Sequence, residues 1–310
     1  KLCKCKDKLK GKRKLPKYKH KTKGRNVVVF TSQQCKLKDG YIHFPKKVSI
    51  RPLKTKVVNV VQVRITPQCS CHVIEVVYEK ECIEASGLKP DSYLSIDLGL
   101  NNLVTSYDSL NHKSFIVNGR VLKSINQYFN KKRAYLMSFI GEKGMSRRIG
   151  KLTLKRNCKV NDYMHKTSRF IINYCIENHI ENIVIGNNKD WKQNCNMGKR
   201  NNQNFVSIPF EKLISQIRYK AKEVGIKVIV TEESYTSKTD HYAGEEMCHH
   251  DAYLGKRLKR GLFRSSTGKI LNADLNGAIG ILRKVSHESY IQVVGRGGVE
   301  TPTIVRSVGL

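Results

Sequence analysis

The 310-residue chain carries ten cysteines, yet no two of them form a C-x-x-C pair. Such pairs are typical of zinc ribbons and of thioredoxin-like redox sites, so the spacing favours neither. The closest pairs, Cys3/Cys5 and Cys69/Cys71, are C-x-C, and the other cysteines are scattered singly. We therefore predict reduced, partly buried thiols rather than a disulfide framework.

Long apolar runs are missing as well. A membrane-spanning helix needs about 20 consecutive apolar residues, and a secretory signal needs an apolar stretch behind its basic start. The first 25 residues are basic and contain no such stretch. We expect a protein of the prokaryotic cytoplasm that has no membrane partner.

Acidic residues are few: 25 Asp and Glu stand against 58 Lys and Arg, which gives a formal charge of +33. An excess of this size repels itself unless a polyanion neutralises it. Nucleic acid is the expected partner, because no amphipathic segment stands out that would hold the chain on a membrane. We expect no small-molecule substrate.

Composition and strand patterns divide the chain near residue 90. Residues 1–26 form a lysine-rich arm that we expect to bind phosphates, and 86–91 predict a linker. Short β-branched or alternating runs over 27–84 predict a small β-barrel-like domain. The expected domains are 1–90 for the arm and barrel, 91–285 for a second domain, and 286–310 for a C-terminal tail.

The second domain has the element order of an RNase H-like α/β fold. The pattern predicts three strands between 92 and 119, helices over 120–142 and 160–180, a strand at 182–185, a helix from Pro209 to Gly225, and a strand at 226–231. A helix that carries Asp274 closes the series. We expect the helical insertion to span about 120–180.

Acidic residues on three separate elements predict a metal-dependent site. Asp97 ends a strand inside an apolar run, where an aspartate must be paired, hydrogen-bonded or metal-bound. Asp274 lies in the first turn of its helix, and Glu232 and Glu233 end the preceding strand. Taken singly, Asp97 could be a solvent-facing strand end and Asp274 a helix cap. Together, three carboxylates in a basic chain suit Mg²⁺ or Mn²⁺ and two-metal hydrolysis of a phosphodiester.

Several segments resemble the TnpB/OrfB family of transposon-encoded proteins, relatives of type V CRISPR effectors. The resemblance covers roughly 17–285 with the order preserved, and rests on SIDLGLNNLVTS, NGRVLKSINQYFNKKRA, HKTSRFIINYC, WKQNCNMGKRNNQNFVSIPFEKLISQIRYKAKEVGIKV, EESYTSK and GKRLKRGLFRSSTGKILNADLNGAIGILRK. It implies a RuvC-type RNase H nuclease domain, a β-barrel wedge domain, a guide RNA from the transposon end, and cleavage of double-stranded target DNA.

The resemblance also assigns the acids. Asp97 and Asp274 match the first and last RuvC aspartates. Many relatives carry a glutamate at the end of the strand that here reads NIVIGNN, where Gly186 stands. The subgroup with IGNN has its glutamate in EESYTSK instead, so the resemblance implies Glu233 as the middle acid, with Glu232 as the substitute if Glu233 points away.

Two further departures from the family concern zinc and the chain's start. Relatives often hold a C-x-x-C ribbon between the last two acids, whereas this interval holds Cys248, His241, His249 and His250. Their spacing is poor for zinc, so we expect no structural zinc. Relatives also have a helical, nucleic-acid-recognising segment before KLPKYKHK, so the resemblance implies an N-terminally incomplete chain.

Basic, amide and aromatic side chains near these motifs are the candidate nucleic-acid contacts, with solvated surface as the alternative for each. They are Lys123, Asn126, Gln127, Lys131, Lys132, Trp191, Lys192, Lys238, Lys256, Arg257, Lys259, Arg260 and Arg264. We expect the last five to feed single-stranded DNA toward the acids.

These features predict a metal-dependent, RNA-guided DNA endonuclease. The alternative is a nuclease-inactive relative that binds DNA as a repressor, or a decayed transposase remnant, which the Gly186 departure keeps open. Strand-joining transposase chemistry is disfavoured because the chain shows no hydroxyl nucleophile motif and no paired-histidine motif.

Overall fold

A computed structural model describes residues 26–83, 85–141, 144–187, 203, 207–286 and 302–305. The chain divides into two compact units, Lys1–Lys80 and Glu81–Leu310. No described helix has both the length and the apolar character that crossing a membrane requires.

The first unit consists of short strands. Between residues 26 and 80, its described part, the strands are β1 (Val28–Thr31), β2 (Lys36–Lys38), β3 (Tyr41–His43), β4 (Leu53–Lys54), β5 (Val60–Gln68) and β6 (Cys71–Tyr78). They pair antiparallel in two three-stranded sheets, β1-β5-β6 and β2-β3-β4. Phe30, Ile42 and Val63 come from both sheets and share one core, because alternation turns one face of each strand inward. The predicted strands are confirmed, whereas the closed barrel stays a prediction.

The second unit is built on a six-stranded sheet in the order β11-β10-β7-β8-β9-β15. β7 and β8 pair antiparallel, as do β8 and β9, whereas β10 and β11 run parallel to β7. The strands are β7 (Lys89–Leu98), β8 (Asn102–Asp108), β9 (Ser114–Asn118), β10 (Ile180–Gly186), β11 (Lys227–Thr231) and β15 (Thr303–Val305). All of these except β15 were predicted, and a mixed α/β fold is confirmed.

Among the residues that the structure describes, four helices cover the two faces of this sheet. They are α1 (Arg120–Met137), α2 (Arg147–Glu177), α3 (Phe210–Lys222) and α4 (Ala273–Arg283). The predicted start of α2 at residue 160 was wrong, since Ser146 caps the helix by accepting a hydrogen bond from the Ile149 amide at 3.2 Å. Basic residues over 147–156 interrupt the apolar spacing that would otherwise have predicted the first turns of this helix. Asn272 caps α4 by accepting from the amides of Asp274 and Leu275.

Two segments differ from their predictions. Residues 86–91 were expected to form a linker, yet β7 begins at Lys89, whose amide donates to the His179 carbonyl at 2.9 Å. Within the segment expected to be a tail, Thr303–Val305 pairs parallel with β9 and adds an edge strand.

A small antiparallel sheet lies between β11 and α4. Its strands are β12 (Lys256–Lys259), β13 (Leu262–Arg264) and β14 (Ile270–Asn272). Gly261 closes the β12–β13 turn at φ +83°, a conformation that other residues rarely adopt. β14 runs directly into α4, so the basic strand β12 is carried close to the helix that holds Asp274.

Candidate active site

Asp97 projects from the face of the sheet that α4 covers. In β7, Leu94, Ile96 and Leu98 point into the main core with α2 and α3, so the alternate residue Asp97 faces the other way. α4 passes close to it: a Cβ placed at Gly277 would lie 3.1 Å from Asp97 Oδ2. The glycine therefore gives the carboxylate room against the helix.

Asp274 reaches the same region from the first turn of α4. Asn102, at the start of β8, donates a hydrogen bond from Nδ2 to Asp274 Oδ2 at 2.8 Å. Because Asn272 caps the helix through its own side chain, Asp274 is not occupied as a cap. Its carboxylate is thus fixed to the sheet that carries Asp97.

Glu233 lies just after β11, and its side chain covers the end of β10. A Cβ placed at Gly186 would lie 2.7 Å from both Cγ and Oε1 of Glu233. Ile281 Cδ1 would lie 2.4 Å from the same Cβ, so the glutamate and this α4 side chain together fill the space in which a side chain at position 186 would start. Glu232 is exposed, and its carboxylate accepts a hydrogen bond from the Ser234 hydroxyl.

The electrostatics tie these three acids together. Burial raises the pKa of Asp97 well above its usual range, and the neighbouring charges of Glu233 and Asp274 raise it further. Arg257 and a hydrogen bond from the Leu98 backbone act in the opposite direction. Burial raises the pKa of Glu233 to about 7, against the opposing charge of Lys284. The acids of β7, α4 and the β11 end are therefore brought together on one face of the sheet.

The chemistry of this donor set fits a hard divalent cation. Carboxylate oxygens are the ligands that Mg²⁺ and Mn²⁺ prefer, and a cation would relieve the repulsion that raises the pKa of Asp97. No three Cys, His, Asp or Glu side chains in the described part of the chain converge tightly enough to enclose a metal ion. Any ion held here would therefore have to draw the acids inward.

A basic cleft of about 600 Å³ opens beside Asp274. Its walls come from the β7–β8 turn, the β9–α1 junction, the β12–β13 turn and β15. They include Gly99, Leu100, Asn101, Asn102, Ile116, Asn118, Arg120, Arg257, Arg260, Gly261, Asn272, Asp274 and Ile304. Three arginines and several amides thus stand next to one carboxylate, a combination that suits a nucleic-acid strand.

Comparison with known proteins identifies the relatives. Residues 74–192 match the IS605-type OrfB family model, described as "Probable transposase", and residues 210–281 match the Cas12f1-like TNB domain. The chain belongs to the TnpB/OrfB family.

Two curated relatives are TnpB-like. The chain is 28% identical over 256 residues to TnpB-like protein ORF457 of Acidianus two-tailed virus, covering 79% of this chain and 50% of that protein. It is 30% identical over 120 residues to TnpB-like protein MJ0751 of Methanocaldococcus jannaschii, covering 38% and 43%. The chain spans about half the length of the curated relatives it matches.

Among solved structures, a Cas12f1–sgRNA–target DNA complex is similar to this chain. The TM-score is 0.54 at 17% identity, over 72% of this chain and 45% of that one. At such low identity the likeness shows a shared fold. It places this TnpB/OrfB chain in the same mixed α/β architecture.

Most of the predicted nucleic-acid contacts lie on the surface of this family member. Gln127, Lys131 and Lys132 are exposed on α1, and Lys256, Arg257, Lys259, Arg260 and Arg264 are exposed on the small sheet or its first turn. Lys238 is exposed with its Nζ 5.9 Å from the Tyr253 ring centroid. Lys123 donates to Asn101 Oδ1 at 2.8 Å and so borders the basic cleft. Trp191 and Lys192 lie outside the described residues.

The prediction for Asn126 was wrong. This residue was predicted to face nucleic acid, yet it is only 2% exposed, and its side-chain oxygen accepts a hydrogen bond from Arg156 Nε at 2.8 Å. The amide therefore points from α1 toward α2, the helix that carries Arg156.

The cleft also holds contacts that the sequence did not single out. Asn101, Asn118 and Arg120 are distant from Asp274 in sequence and meet it only through the sheet topology. Only a weak sequence signal marks them: Asn118 ends a strand, and Asn101 and Arg120 each follow a glycine turn.

A network of polar side chains, which we call the polar clasp, holds the loop after β11 onto α4. The clasp consists of Asp240, His241, Glu245, Ser265 and Arg283. Asp240 Oδ2 accepts from the Ser265 hydroxyl at 2.9 Å, and Glu245 Oε2 accepts from the Asp240 amide at 2.6 Å. Arg283, at the end of α4, donates to the Glu245 carbonyl at 2.9 Å.

His241 is the residue of the polar clasp that lies in the interval where relatives often hold zinc ligands. It is 1% exposed, and its Nε2 donates to the Thr236 carbonyl at 2.8 Å while Nδ1 accepts from Arg283 at 3.0 Å. Both ring nitrogens are therefore engaged. Cys248 lies 3.3 Å from His250 Nε2, in a separate contact.

Proposed function

We propose that the chain is a transposon-associated, RNA-guided DNA endonuclease that hydrolyses phosphodiesters with divalent metal. The observation that carries this proposal is the gathering of Asp97, Glu233 and Asp274 on one sheet face beside an arginine-lined cleft. In this proposal residues 91–285 are an RNase H-like, RuvC-type nuclease domain. Residues 1–90 are the basic arm and a wedge-like domain.

The strand arrangement supports the nuclease assignment. Three antiparallel strands, followed by two strands parallel to the first, are the RNase H-like arrangement that the element order predicted. Asp97 comes from the first of these strands, and Asp274 from a helix packed on the sheet. The same acids match the RuvC positions of the TnpB/OrfB family.

In this site Asp97, Glu233 and Asp274 would hold Mg²⁺ or Mn²⁺. Bound divalent ions there supply an activated water and stabilisation of the leaving oxygen in phosphodiester hydrolysis. Asn102 orients the Asp274 carboxylate by its hydrogen bond. Arg257 and Arg260 offset the repulsion between the acids and a phosphate strand that enters the cleft.

The proposed partners are a guide RNA and a double-stranded target DNA. The +33 charge supplies the attraction for both. The similar Cas12f1 structure contains an sgRNA and a target DNA, which supports this partner class.

The test is co-expression of the chain with its flanking transposon end, followed by incubation with matched target DNA and Mg²⁺, with and without EDTA. We expect guide-matched cutting that EDTA stops and that Asp274→Ala abolishes without loss of RNA binding. Binding without cutting would instead identify a nuclease-inactive DNA-binding relative. Cutting that persists in Asp274→Ala would reject the assigned site.

A further inference from the structure

A second cleft, of about 310 Å³, lies between α1 and α2. Apolar and aromatic side chains line one part of it, and cationic side chains line another. The lining residues are Ser124, Ile125, Tyr128, Phe129, Leu152, Lys155, Arg156 and Lys159. Tyr128 is 61% exposed, so most of its ring is available to a ligand.

The positive charge of this cleft is partly fixed in place. Arg156 donates from Nε to Asn126 Oδ1 and from Nη2 to the Ser207 carbonyl, each at 2.8 Å. Its guanidinium carbon lies 5.8 Å from the Phe129 ring centroid. A side chain held by three contacts presents its charge with little remaining freedom.

Two exposed lysine side chains add positive charge beside Arg156. Lys155 and Lys159 are exposed one helical turn apart on α2, so they border the cleft side by side. α1 contains no acidic residue, and α2 contains none before Asp162. Asp162 pairs with Lys166 at 3.3 Å rather than with Lys159, so the lysines at the cleft are left for a ligand, and an anion with a flat apolar group fits it.

The position of the cleft relates it to the acids. Arg120 lines the cleft beside Asp274, and Arg120, Ser124 and Tyr128 follow one i, i+4 row along α1. Eight residues of helix span about 12 Å. A strand that leaves the acids past Arg120 would therefore reach Tyr128 within a short distance.

We propose that this cleft is a stacking subsite for an unpaired nucleotide of the DNA strand that enters the acidic site. The base stacks on Tyr128, and Lys155 and Lys159 hold the adjoining phosphates. The inference rests on the proposed function, because it takes the strand at the acids to be DNA.

The first test measures binding of single-stranded DNA by the full chain purified with its RNA. Tyr128→Ala should weaken binding roughly 5-fold or more, in line with the loss of one stacked base, whereas Tyr128→Phe should retain it. Tyr219→Ala removes an exposed tyrosine (45% against 61% for Tyr128) from α3 and serves as the control. Circular dichroism and thermal unfolding verify that each variant is folded.

The second test concerns the phosphates. Replacing Lys155 and Lys159 together by Gln should lower the slope of log affinity against log salt by about 1.4, since each single-strand phosphate contact contributes about 0.7. The control replaces the exposed Lys212 and Lys222 of α3 by Gln. An equal change in the control would mean that the lysines act only through net charge, and would overturn the proposal.

Photocrosslinking identifies the strand. With Asp97→Asn to prevent cutting, 5-iodouracil placed singly along the target DNA should crosslink to Tyr128 at one or two adjacent positions. Crosslinks only from a substituted guide RNA, or unchanged binding by folded Tyr128→Ala, would overturn the proposal. DNA binding and photocrosslinking are measured without cleavage. The stacking subsite can therefore be tested even if the wild-type protein does not cut DNA.

Discussion

The side chain of Glu233 occupies the space in front of Gly186. A Cβ at position 186 would lie 2.7 Å from Glu233 Cγ and 2.4 Å from Ile281 Cδ1, so the space at the end of β10 is already filled from the β11 side and from α4. The family resemblance implies a glutamate at the position of Gly186 in many relatives. We infer that Glu233 supplies, from the β11 side, the carboxylate that those relatives carry at this position.

This relationship gives the first prediction. Glu233→Ala should reduce metal-dependent cleavage at least 100-fold, because one ligand of the proposed ions is lost. The triple variant Gly186→Glu, Glu233→Ala, Ile281→Val should recover part of that loss, since the new carboxylate starts where Glu233 now lies and the loss of Ile281 Cδ1 gives its Cβ room. Gly186→Glu alone should stay low, because the two side chains collide.

Initial cleavage rates of a matched target measure this series. The control is Glu232→Ala, which should cut nearly as well as the wild type because Glu232 is exposed. If Glu232→Ala abolished cutting while Glu233→Ala did not, the assignment of the middle acid would be reversed.

Asp97 carries the second prediction. Its pKa is raised, so at neutral pH the fold either buries the charge of this carboxylate or takes up a proton to neutralise it, and either lowers stability in the absence of a cation. Asp97→Asn should therefore raise the melting temperature of the metal-free protein at pH 7 while it abolishes cleavage. Mg²⁺ should raise the melting temperature of the wild type and leave that of Asp97→Asn nearly unchanged.

Differential scanning fluorimetry with and without Mg²⁺ measures both effects. The wild-type gain should disappear with EDTA. A lower melting temperature in Asp97→Asn would show that the carboxylate stabilises the fold through partners of its own, contrary to the repulsion argued here.

The sheet and the acids were accessible from the sequence because their signals are local. Strands β7 to β11 follow β-branched or apolar runs, and Asp97 stood out as a carboxylate inside such a run. Asp274 stood out through its place in a helical turn of small residues. Each of these signals depends on neighbours within a few positions.

The missed features depend on partners far along the chain. Asn126 was placed on the surface because its partner Arg156 belongs to the next helix. The cleft unites Asn118 of the large sheet and Arg257 of the small sheet only through tertiary packing, which no local spacing encodes. The early start of α2 was missed because its first turns are basic and carry a weak apolar pattern.

Asn102 supports a third prediction, about positioning. Its amide donates to Asp274 Oδ2, so Asn102→Ala should leave the carboxylate less well oriented for a cation. We expect cleavage to fall roughly 10- to 100-fold at limiting Mg²⁺, with part of the loss recovered at high Mg²⁺. A Mg²⁺ titration of initial rates measures this.

The control for Asn102→Ala is Asn178→Ala, which removes an amide from the end of α2. It should not change the Mg²⁺ requirement. A loss in Asn102→Ala that no Mg²⁺ concentration relieves would argue for a direct role of Asn102 in substrate binding.

The polar clasp predicts that the stability of the chain depends on pH through His241. Burial, together with the charge of Arg283, lowers the pKa of His241 to about 4, although the hydrogen bond to the Thr236 carbonyl opposes them. Because the folded pKa lies below the ordinary value of 6.5, the unfolded chain binds the proton first as the pH falls. The neutral ring's contribution is therefore complete above pH 6.5 and is lost progressively between pH 6.5 and 4, by roughly 3 kcal/mol in total.

Urea unfolding at several pH values tests this, with His241→Gln as the matched variant, because glutamine can still donate and accept without taking up a proton. The free energies of unfolding of the two proteins should differ least above pH 7, and the wild type should lose more as the pH falls to 4.5. Parallel curves would show that His241 does not stay neutral in the fold, and that the clasp tolerates a charged ring beside Arg283. A steeper fall in the wild type would show that a neutral His241 stabilises the polar clasp, which joins the loop after β11 to α4, the helix that presents Asp274.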